Sequence, residues 1–193
     1  MAEYTKSESM EWARETLRGQ WSTLMTPFTP DDDIDEEGLR KNIRRVKNLG
    51  VRGAGCTWGM GEFWTLTQAE RLHVYDIVSD EAGDTWPIGA HVSHTSMKEM
   101  LELAEHAEHT GFDLLIVAAP YFVTKLESQV IEWVRTLADN TNLAIMYYNS
   151  PQFGLVMTSN GLSEICEIPN VVGVKEASFN QDLSIETHLK IGD

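Results

Sequence analysis

Two stretches, NLAIMYYNSP (residues 142–151) and NVVGVKEAS (residues 170–178), decide the fold of this chain. Each holds a short apolar run typical of a buried strand, and a short helical pattern over residues 159–166 lies between them. The distance between the two runs is too long for a hairpin and suits a helical crossover between parallel strands. The segment therefore predicts one β–α–β unit with a parallel sheet.

The same alternation extends towards the N-terminus. Apolar runs occur in WSTLMTPF, VRGAGCT, WPIGAHVS and DLLIVAAP, and helical patterns follow over residues 36–49, from Thr67, over residues 96–110 and over residues 126–139. Such repetition fits an open doubly wound sheet or a (β/α)₈ TIM barrel. A doubly wound sheet normally carries a phosphate-binding glycine loop after its first strand, and TPFTPDDD has no glycine. The barrel is therefore favoured.

The length of the chain conflicts with a closed barrel. We expect a helical lead-in over residues 1–20, with Met10, Ala13 and Leu17 on one face, and a single-domain partial barrel over residues 21–193. A (β/α)₈ barrel needs about 250 residues, and this chain has 193. The pattern stops after strand six and the start of helix six. We expect a truncated product, a piece of a longer protein, or a chain whose barrel a partner closes.

Composition excludes several classes of partner. A formal net charge of −15 repels nucleic acid and anionic membrane surfaces. No signal peptide or membrane span is evident, and Cys56 and Cys166 form neither a disulfide framework nor a metal-ligand pair. The acidic run at residues 31–35 lacks the glycine and terminal Glu of a calcium loop, so we interpret it as a turn and helix start. We expect a cytoplasmic protein with no metal and no cofactor.

Lys175 is the most informative candidate for chemistry, because it lies in an otherwise apolar strand. Alternation places Val171, Gly173 and Lys175 on one face and Val172 and Val174 on the other. If the two valines pack against helices, the lysine points into the barrel. Burial lowers the pKa of an ammonium and makes the amine a better nucleophile toward a carbonyl. The alternative is a strand-end lysine that reaches solvent or pairs with a carboxylate.

Tyr148, on the preceding strand, is the second candidate. Alternation turns it inward and Tyr147 outward, and a phenol beside an amine can relay protons. A core tyrosine with a hydrogen-bonded hydroxyl is the alternative. His91 and His94 follow the third strand on the same face, where they could bind substrate, although surface or capping roles are favoured.

Four motifs in register give the chain a family resemblance. They are TPFTPDDDID (residues 26–35), Gly61-Glu62 followed by TLT, YNSP (residues 148–151) and GVKEAS (residues 173–178). Together they resemble the dihydrodipicolinate synthase/N-acetylneuraminate lyase family. The resemblance implies a (β/α)₈ barrel and class I aldolase chemistry, in which Lys175 forms a Schiff base with a 2-keto acid such as pyruvate and Tyr148 relays protons. It also implies a homo-oligomer, a tetramer or a dimer.

Departures from the family pattern predict the substrate pocket. The family commonly binds the keto acid's carboxylate with two hydroxyl residues, where this chain has Trp58-Gly59-Met60. Backbone N–H groups of this loop or the displaced Thr57 would then bind it. Phe122 replaces a tyrosine of the synthases and Phe153 replaces their arginine. These changes indicate an apolar or aromatic second substrate, and they resemble the hydratase-aldolase branch more than true dihydrodipicolinate synthase.

We therefore predict a Schiff-base-forming lyase or aldolase that acts on a 2-keto acid and an aldehyde-type substrate. Three alternatives stay open. The first is a non-catalytic or truncated barrel paralogue that serves in binding or assembly. The second is a dihydrodipicolinate synthase-like condensation. The third is a hydrolase or decarboxylase on the same scaffold, which would turn over without an imine.

Overall fold

The alternation of strands and helices is present throughout the part of the chain that the structure covers. The computed structural model describes residue 2, residues 4–122 and residues 124–192. Positions 1 and 3 of the predicted lead-in, position 123 after the fourth strand and position 193 lie outside the described residues. Within those residues, six strands alternate with helices in the order that the sequence predicts.

The elements fall close to the predicted positions. The strands are β1 (Trp21–Thr23), β2 (Gly53–Cys56), β3 (Ile88–His91), β4 (Leu114–Ala118), β5 (Ala144–Asn149) and β6 (Val171–Glu176). The α-helices are α1 (Ser9–Thr16), α2 (Glu36–Asn48), α3 (Gln68–Ala82), α4 (Met97–His109), α5 (Glu127–Asp139), α6 (Ser159–Cys166) and α7 (Gln181–Ile191). Short 3₁₀ turns at Gly59–Gly61, Phe63–Thr65 and Pro151–Phe153 follow strands at their carboxyl ends.

The six strands form one parallel sheet whose spatial order is β1-β2-β3-β4-β5-β6. The order follows the chain without the reversal of a doubly wound sheet, so the doubly wound alternative is wrong. The sheet is a half-barrel with helices on its outer side. In the described residues, β1 and β6 each pair with one neighbour and are therefore edge strands.

Side-chain caps fix where two of the helices begin. The carboxylate of Asp35 accepts a hydrogen bond from the amide of Gly38 at 2.9 Å and caps α2. Asp35, the last residue of the acidic run at residues 31–35, is therefore the N-cap of α2, and the run forms a turn and helix start as predicted. Thr67 and Glu70 form the predicted capping box at the start of α3.

Two clusters of side chains lie on opposite faces of the sheet. The helix-side core lies between the sheet and the helices and includes Leu115, Val117, Ile145 and Tyr147. The interior cluster lines the concave face; it consists of Trp58, Phe63, Leu114, Ile116, Ala118, Ala144, Tyr148 and Phe153. The two neighbouring tyrosines therefore face opposite sides, as strand alternation predicts.

The predicted sides of the first two residues of β6 are wrong. Val171 belongs to the helix-side core and Val172 packs against the interior cluster, which reverses the predicted sides of both residues. The pairing of β5 with β6 has a register shift, because Ile145 pairs with Val171 while the next residue, Met146, pairs with Gly173. This irregularity inserts one extra residue and changes the alternation. Val174 and Lys175, beyond it, keep their predicted sides.

The N-terminal lead-in closes the concave face at the amino ends of the strands. The hydroxyl of Tyr4 donates to the carbonyl of Asp113 and accepts from the amide of Ala144 at 2.6 Å. Trp12 on α1 stacks on Tyr4 with ring centroids 4.7 Å apart and packs against the interior cluster. Clefts of about 780 Å³ and 820 Å³ flank this segment, at the opposite end of the sheet from Lys175.

Candidate active site

Lys175 and Tyr148 lie side by side at the carboxyl ends of β6 and β5. The two residues pair directly in the sheet, and the Lys175 Nζ lies 3.4 Å from the centroid of the Tyr148 ring. Tyr148 is buried at 8% exposure, whereas Lys175 is half-buried because β6 is an edge strand. The ammonium therefore sits on the aromatic face, in a cation–π arrangement.

A second pair of side chains ties the same two strands together from the other side. The Nδ2 of Asn149 donates to the Oε2 of Glu176 at 2.7 Å, and its Oδ1 accepts from the amide of Met157 at 2.9 Å. The other oxygen of Glu176 accepts from the amide of Ser178 at 2.6 Å. Because Asn149 and Glu176 directly follow Tyr148 and Lys175, this clamp holds both candidate groups in register.

The loop after β2 brings backbone amides next to Tyr148. A Cβ atom placed on Gly59 would lie 3.9 Å from the Tyr148 hydroxyl, so the loop and the phenol are neighbours. Within the described residues, the amides of Gly61 and Glu62 close the 3₁₀ turn, and the amides of Gly59 and Met60 have no hydrogen-bond partner. Two free amides at the start of a turn suit an anionic group such as a carboxylate.

Thr57 does not share this position. It is fully buried in a left-handed conformation with φ +52°, and its hydroxyl donates to the carbonyl of His91 at 3.3 Å. The hydroxyl thus links β2 to β3 behind the loop. Of the two carboxylate-binding options that the sequence left open, this geometry favours the backbone amides.

Trp58 fills the middle of the concave face. Its indole lies on Gly55 and Gly89, which pair in register on β2 and β3, and a Cβ at Gly55 would come within 1.9 Å of the ring. These two glycines therefore make the space that the indole occupies. The Trp58 Nε1 is buried without a hydrogen-bond partner among the described residues.

An aromatic cluster surrounds the site above Trp58. Its members are the rings of Phe63, His91, Tyr121, Tyr148 and Phe153. Phe153 is central, with its centroid 5.3 Å from Tyr148 and 6.2 Å from Phe63. Phe153 is buried within this cluster.

Met60 and Phe122 lie on the exposed rim of the site. Met60 is 63% exposed, and Phe122 is 84% exposed and touches the edge of Tyr121 at 5.3 Å between centroids. The fold thus brings together Lys175, Tyr148, Gly59, Trp58 and Phe153. It leaves Met60 and Phe122 at the entrance and Thr57 behind the loop.

The sequence also misjudged the position of His91. The last residue of β3, it is fully buried and its ring centroid lies 4.3 Å from that of Phe63, so the surface or capping interpretation is wrong. That interpretation does fit His94, whose Nδ1 accepts from the amide of Ser96 at 2.9 Å and whose Nε2 pairs with Glu99. Alternation with Gly89 on the interior side of β3 was the available signal for His91.

Arg71 places a positive charge beneath the aromatic cluster. The side chain is 2% exposed, and its guanidinium donates to the carbonyls of His91 and Ser93. It lies 5.3 Å from the Phe63 ring and has no ion pair with any described carboxylate. Burial, together with the charges of Arg71 and Lys175, holds the pKa of His91 well below its usual range, so the imidazole is neutral at pH 7.

The described part of the chain has neither a metal-binding cluster nor a membrane-spanning helix. No group of three or more His, Cys, Asp or Glu side chains is placed to hold a metal ion. Among the same residues, no helix is both long and apolar enough to cross a bilayer.

Burial raises the pKa of the Cys56 thiol, which makes it a poor nucleophile.

Six sequential parallel β/α units, with a lysine and a tyrosine at the carboxyl ends of neighbouring strands, define a barrel-type α/β protein with its site at the usual face. Comparison with known proteins gives the family. Residues 16–193 match the model of the dihydrodipicolinate synthetase family. The chain belongs to this family.

Named relatives and solved structures agree with this assignment. The 4-hydroxy-tetrahydrodipicolinate synthase of Methanococcoides burtonii is 36% identical over 167 residues, 86% of this chain and 57% of the relative. A crystal structure of a dihydrodipicolinate synthase covers 88% of this chain, with 26% identity and a TM-score of 0.84. A prophage protein of E. coli in complex with pyruvate covers 91%, with 25% identity and a TM-score of 0.86.

The chain spans only part of these proteins. It covers 57% of the M. burtonii enzyme, 59% of the synthase structure and 60% of the pyruvate complex. The named relatives are synthases, so they give no support to the predicted closeness to the hydratase-aldolase branch.

Proposed function

We propose that this chain carries the site of a class I lyase or aldolase, in which Lys175 forms an imine with a 2-keto acid of the pyruvate type. The observation that carries the proposal is the placement of the Lys175 Nζ on Tyr148, beside the unpaired amides of Gly59 and Met60. These groups supply the three functions that such a substrate requires: a nucleophile, a proton relay and an anion site.

The chemistry follows from those positions. The neutral amine of Lys175 adds to the C2 carbonyl, and the carbinolamine loses water to give the imine. A C3 proton passes to water, and its electron pair forms the enamine. The enamine C3 then bonds to the aldehyde carbon as the C=O π bond opens and the aldehyde oxygen takes up a proton from water, and hydrolysis of the resulting imine frees Lys175. The reverse direction breaks that C3–C4 bond. The Tyr148 hydroxyl relays protons in the carbinolamine steps, and the amides of Gly59 and Met60 bind the carboxylate.

The second substrate is an apolar or aromatic aldehyde in this proposal. Phe153, Phe63 and Trp58 pack beside Tyr148 in the interior cluster, and the buried guanidinium of Arg71 lies 5.3 Å from the Phe63 ring. Apolar rings of this kind suit contact with a phenyl ring better than contact with a second carboxylate.

A synthase-like condensation is the second candidate. The names of the relatives favour it, and it would require an aldehyde that carries its own carboxylate. Turnover of the pyruvate–benzaldehyde aldol adduct, compared with condensation of pyruvate and succinic semialdehyde, discriminates between the two. We expect preference for the aryl substrate.

Association into a homo-oligomer, either a dimer or a tetramer, belongs to the same proposal. Its support is the resemblance to the family to which residues 16–193 belong. Light scattering on the purified protein measures the mass directly. A cytoplasmic location remains part of the proposal.

Borohydride trapping tests the imine. The protein is incubated with pyruvate and sodium borohydride, digested and mapped by mass spectrometry. We expect a stable adduct on Lys175, equal to pyruvate less water plus two hydrogens. The matched variants are Lys175→Ala, which should give no adduct, and Lys190→Ala, a surface lysine on α7 that should leave it unchanged. No adduct with pyruvate or other 2-keto acids would refute the imine and favour the non-catalytic or the imine-free alternatives.

A further inference from the structure

His91 has one ring nitrogen that nothing in the described protein satisfies. The side chain is fully buried, its Nε2 lies 3.2 Å from the Ser93 Oγ, and its Nδ1 is buried with no hydrogen-bond partner. A buried polar atom without a partner costs about 1–3 kcal/mol, so such atoms call for a ligand or a special role.

The hydrogen bonds of Ser93 assign the proton of His91. The Ser93 Oγ already accepts from the amide of Ala118 at 2.7 Å, and among the described residues the acceptor for its own proton is the His91 Nε2. If Ser93 donates to Nε2, the ring proton is on Nδ1 and one donor is unpaired. The opposite tautomer leaves two groups unpaired, the serine proton and the Nδ1 lone pair. The network therefore makes Nδ1–H a free hydrogen-bond donor.

The donor is held rigidly and in a positive environment. The backbone carbonyl of His91 accepts from Thr57, Arg71 and Tyr75, which fixes the end of β3. Within the part of the chain that the structure describes, the Arg71 guanidinium and the Lys175 ammonium are the charges that act on the imidazole, and no carboxylate acts on it. An oxygen atom that carries partial negative charge is the group that this environment favours.

The surrounding rings define what such an oxygen is attached to. Phe63 lies 4.3 Å from the imidazole centroid, Phe153 stacks on it at 6.2 Å, and Tyr148 meets it edge-on at 6.5 Å. These rings surround the imidazole with apolar surface, which suits a ligand whose oxygen is attached to a flat apolar group.

We infer that His91 is a specificity-determining residue, whose Nδ1–H binds the carbonyl oxygen of an aromatic aldehyde or ketone within the aromatic cluster. The inference deepens the proposed function, on which it rests, by naming the residue that binds the carbonyl oxygen of the second substrate. In the addition direction, the same bond faces the oxygen on which negative charge develops as the C3–C4 bond forms. No proton leaves the imidazole.

A binding experiment that does not depend on imine chemistry tests the donor directly. Acetophenone and ethylbenzene have the same skeleton and differ by one carbonyl oxygen, and quenching of tryptophan fluorescence measures their binding to the purified protein. We expect about tenfold tighter binding of acetophenone, as one hydrogen bond to a buried neutral donor provides.

Three variants separate the donor from a structural role. In His91→Asn the amide nitrogen falls near Nδ1, in His91→Gln it falls near Nε2, and His91→Leu has neither. We expect the acetophenone preference to persist in Asn and to disappear in Gln and Leu. Cleavage of the pyruvate–benzaldehyde adduct should fall about 10- to 100-fold in Gln and Leu, while pyruvate trapping on Lys175 stays unchanged in all three.

Each contrary outcome has one meaning. Equal preference for acetophenone in the wild type and in all three variants overturns the inference. If the acetophenone preference disappears in His91→Asn as well as in the Gln and Leu variants, and all three have lowered thermal stability, His91 has a structural role. That result also overturns the inference. A third outcome is that the wild type gives no pyruvate adduct on Lys175 while acetophenone is still preferred wherever a donor is present near the Nδ1 position. In that case the proposed function is wrong, and the inferred carbonyl-binding site is retained.

Discussion

The helix-side core and the interior cluster occupy opposite faces of the same sheet, and their polar atoms have different surroundings. Trp86, in the helix-side core, donates from its Nε1 to the carbonyl of Val51 at 3.1 Å. Trp58 and His91, on the interior face, each bury a ring nitrogen without a partner in the described protein, and on the helix side the Tyr147 hydroxyl does the same. What sets the interior face apart is therefore not the number of unpartnered atoms but their position at the candidate site, where a ligand can use them.

The neighbouring tyrosines of β5 give the sharpest test of this difference. Tyr148→Phe removes the hydroxyl beside Lys175 and Gly59, and we expect kcat to fall about 100- to 10,000-fold, as for the loss of a general acid–base group. Tyr147→Phe changes the same atom on the helix side and should leave kcat unchanged. Steady-state kinetics on the two variants measures the contrast. Equal losses would show that the two faces do not divide function from stability.

The clamp behind the site should show an effect on both stability and rate. Asn149→Leu leaves Glu176 and the Met157 amide without their buried partner, which costs about 1–3 kcal/mol for each group. Because the clamp aligns Tyr148 with Lys175, we expect the rate of pyruvate trapping to fall as well. Urea unfolding and trapping kinetics measure the two effects.

Asn142→Leu is the matched control for that clamp. Asn142 also donates to a carboxylate, Glu108, at 2.7 Å, but it is exposed and lies before β5 rather than after it. We expect a loss of less than about 1 kcal/mol and normal trapping. An equal effect of the two variants would contradict the positioning role of Asn149.

The two buried tryptophans provide a smaller contrast. Trp58→Phe and Trp86→Phe remove the same volume, so the difference between them isolates the indole N–H. Trp86→Phe leaves the Val51 carbonyl unpaired and should cost about 1–3 kcal/mol more in unfolding free energy than Trp58→Phe. Trp58→Phe should change KM for aryl substrates, and Trp86→Phe should not. A reversed order in denaturant titrations would count against the comparison.

The smallest effect is a pH dependence of stability that arises at His91. Burial and the nearby charges depress its pKa in the folded state, so the unfolded chain binds a proton below about pH 6.5 that the folded chain does not. Stability is therefore present above pH 6.5 and falls as the pH drops, by at most about 1.4 kcal/mol per unit. Thermal unfolding between pH 5 and 7 should show a shallower slope in His91→Asn than in the wild type. Parallel slopes would exclude this linkage.

Local sequence patterns were sufficient for the elements and for the main candidate pair. The helix at Ser159–Cys166 and the Thr67 capping box follow from periodicity and capping chemistry, which act over a few residues. Lys175 and Tyr148 follow from alternation, because a strand fixes the side on which each residue lies.

Features that depend on neighbouring strands were not predictable in this way. The register shift before Gly173 is set by how β6 pairs with β5, and it reversed Val171 and Val172. The indole of Trp58 settles on the interior face only because Gly55 and Gly89, far apart in sequence, pair in the sheet. The burial of His91 likewise comes from rings contributed by other loops.

The attachment of Tyr4 has a consequence for the order of folding. Its hydroxyl bonds to residues 109 and 140 positions further along the chain. At about 5–20 residues per second, synthesis of those 140 residues takes about 7–28 s. During that time α1 has no docking site and Trp12 stays in water. Helix α1, which leaves the ribosome before α2 to α7, therefore docks only after β5 has been made, and a nascent chain that ends before β5 should keep it accessible to protease.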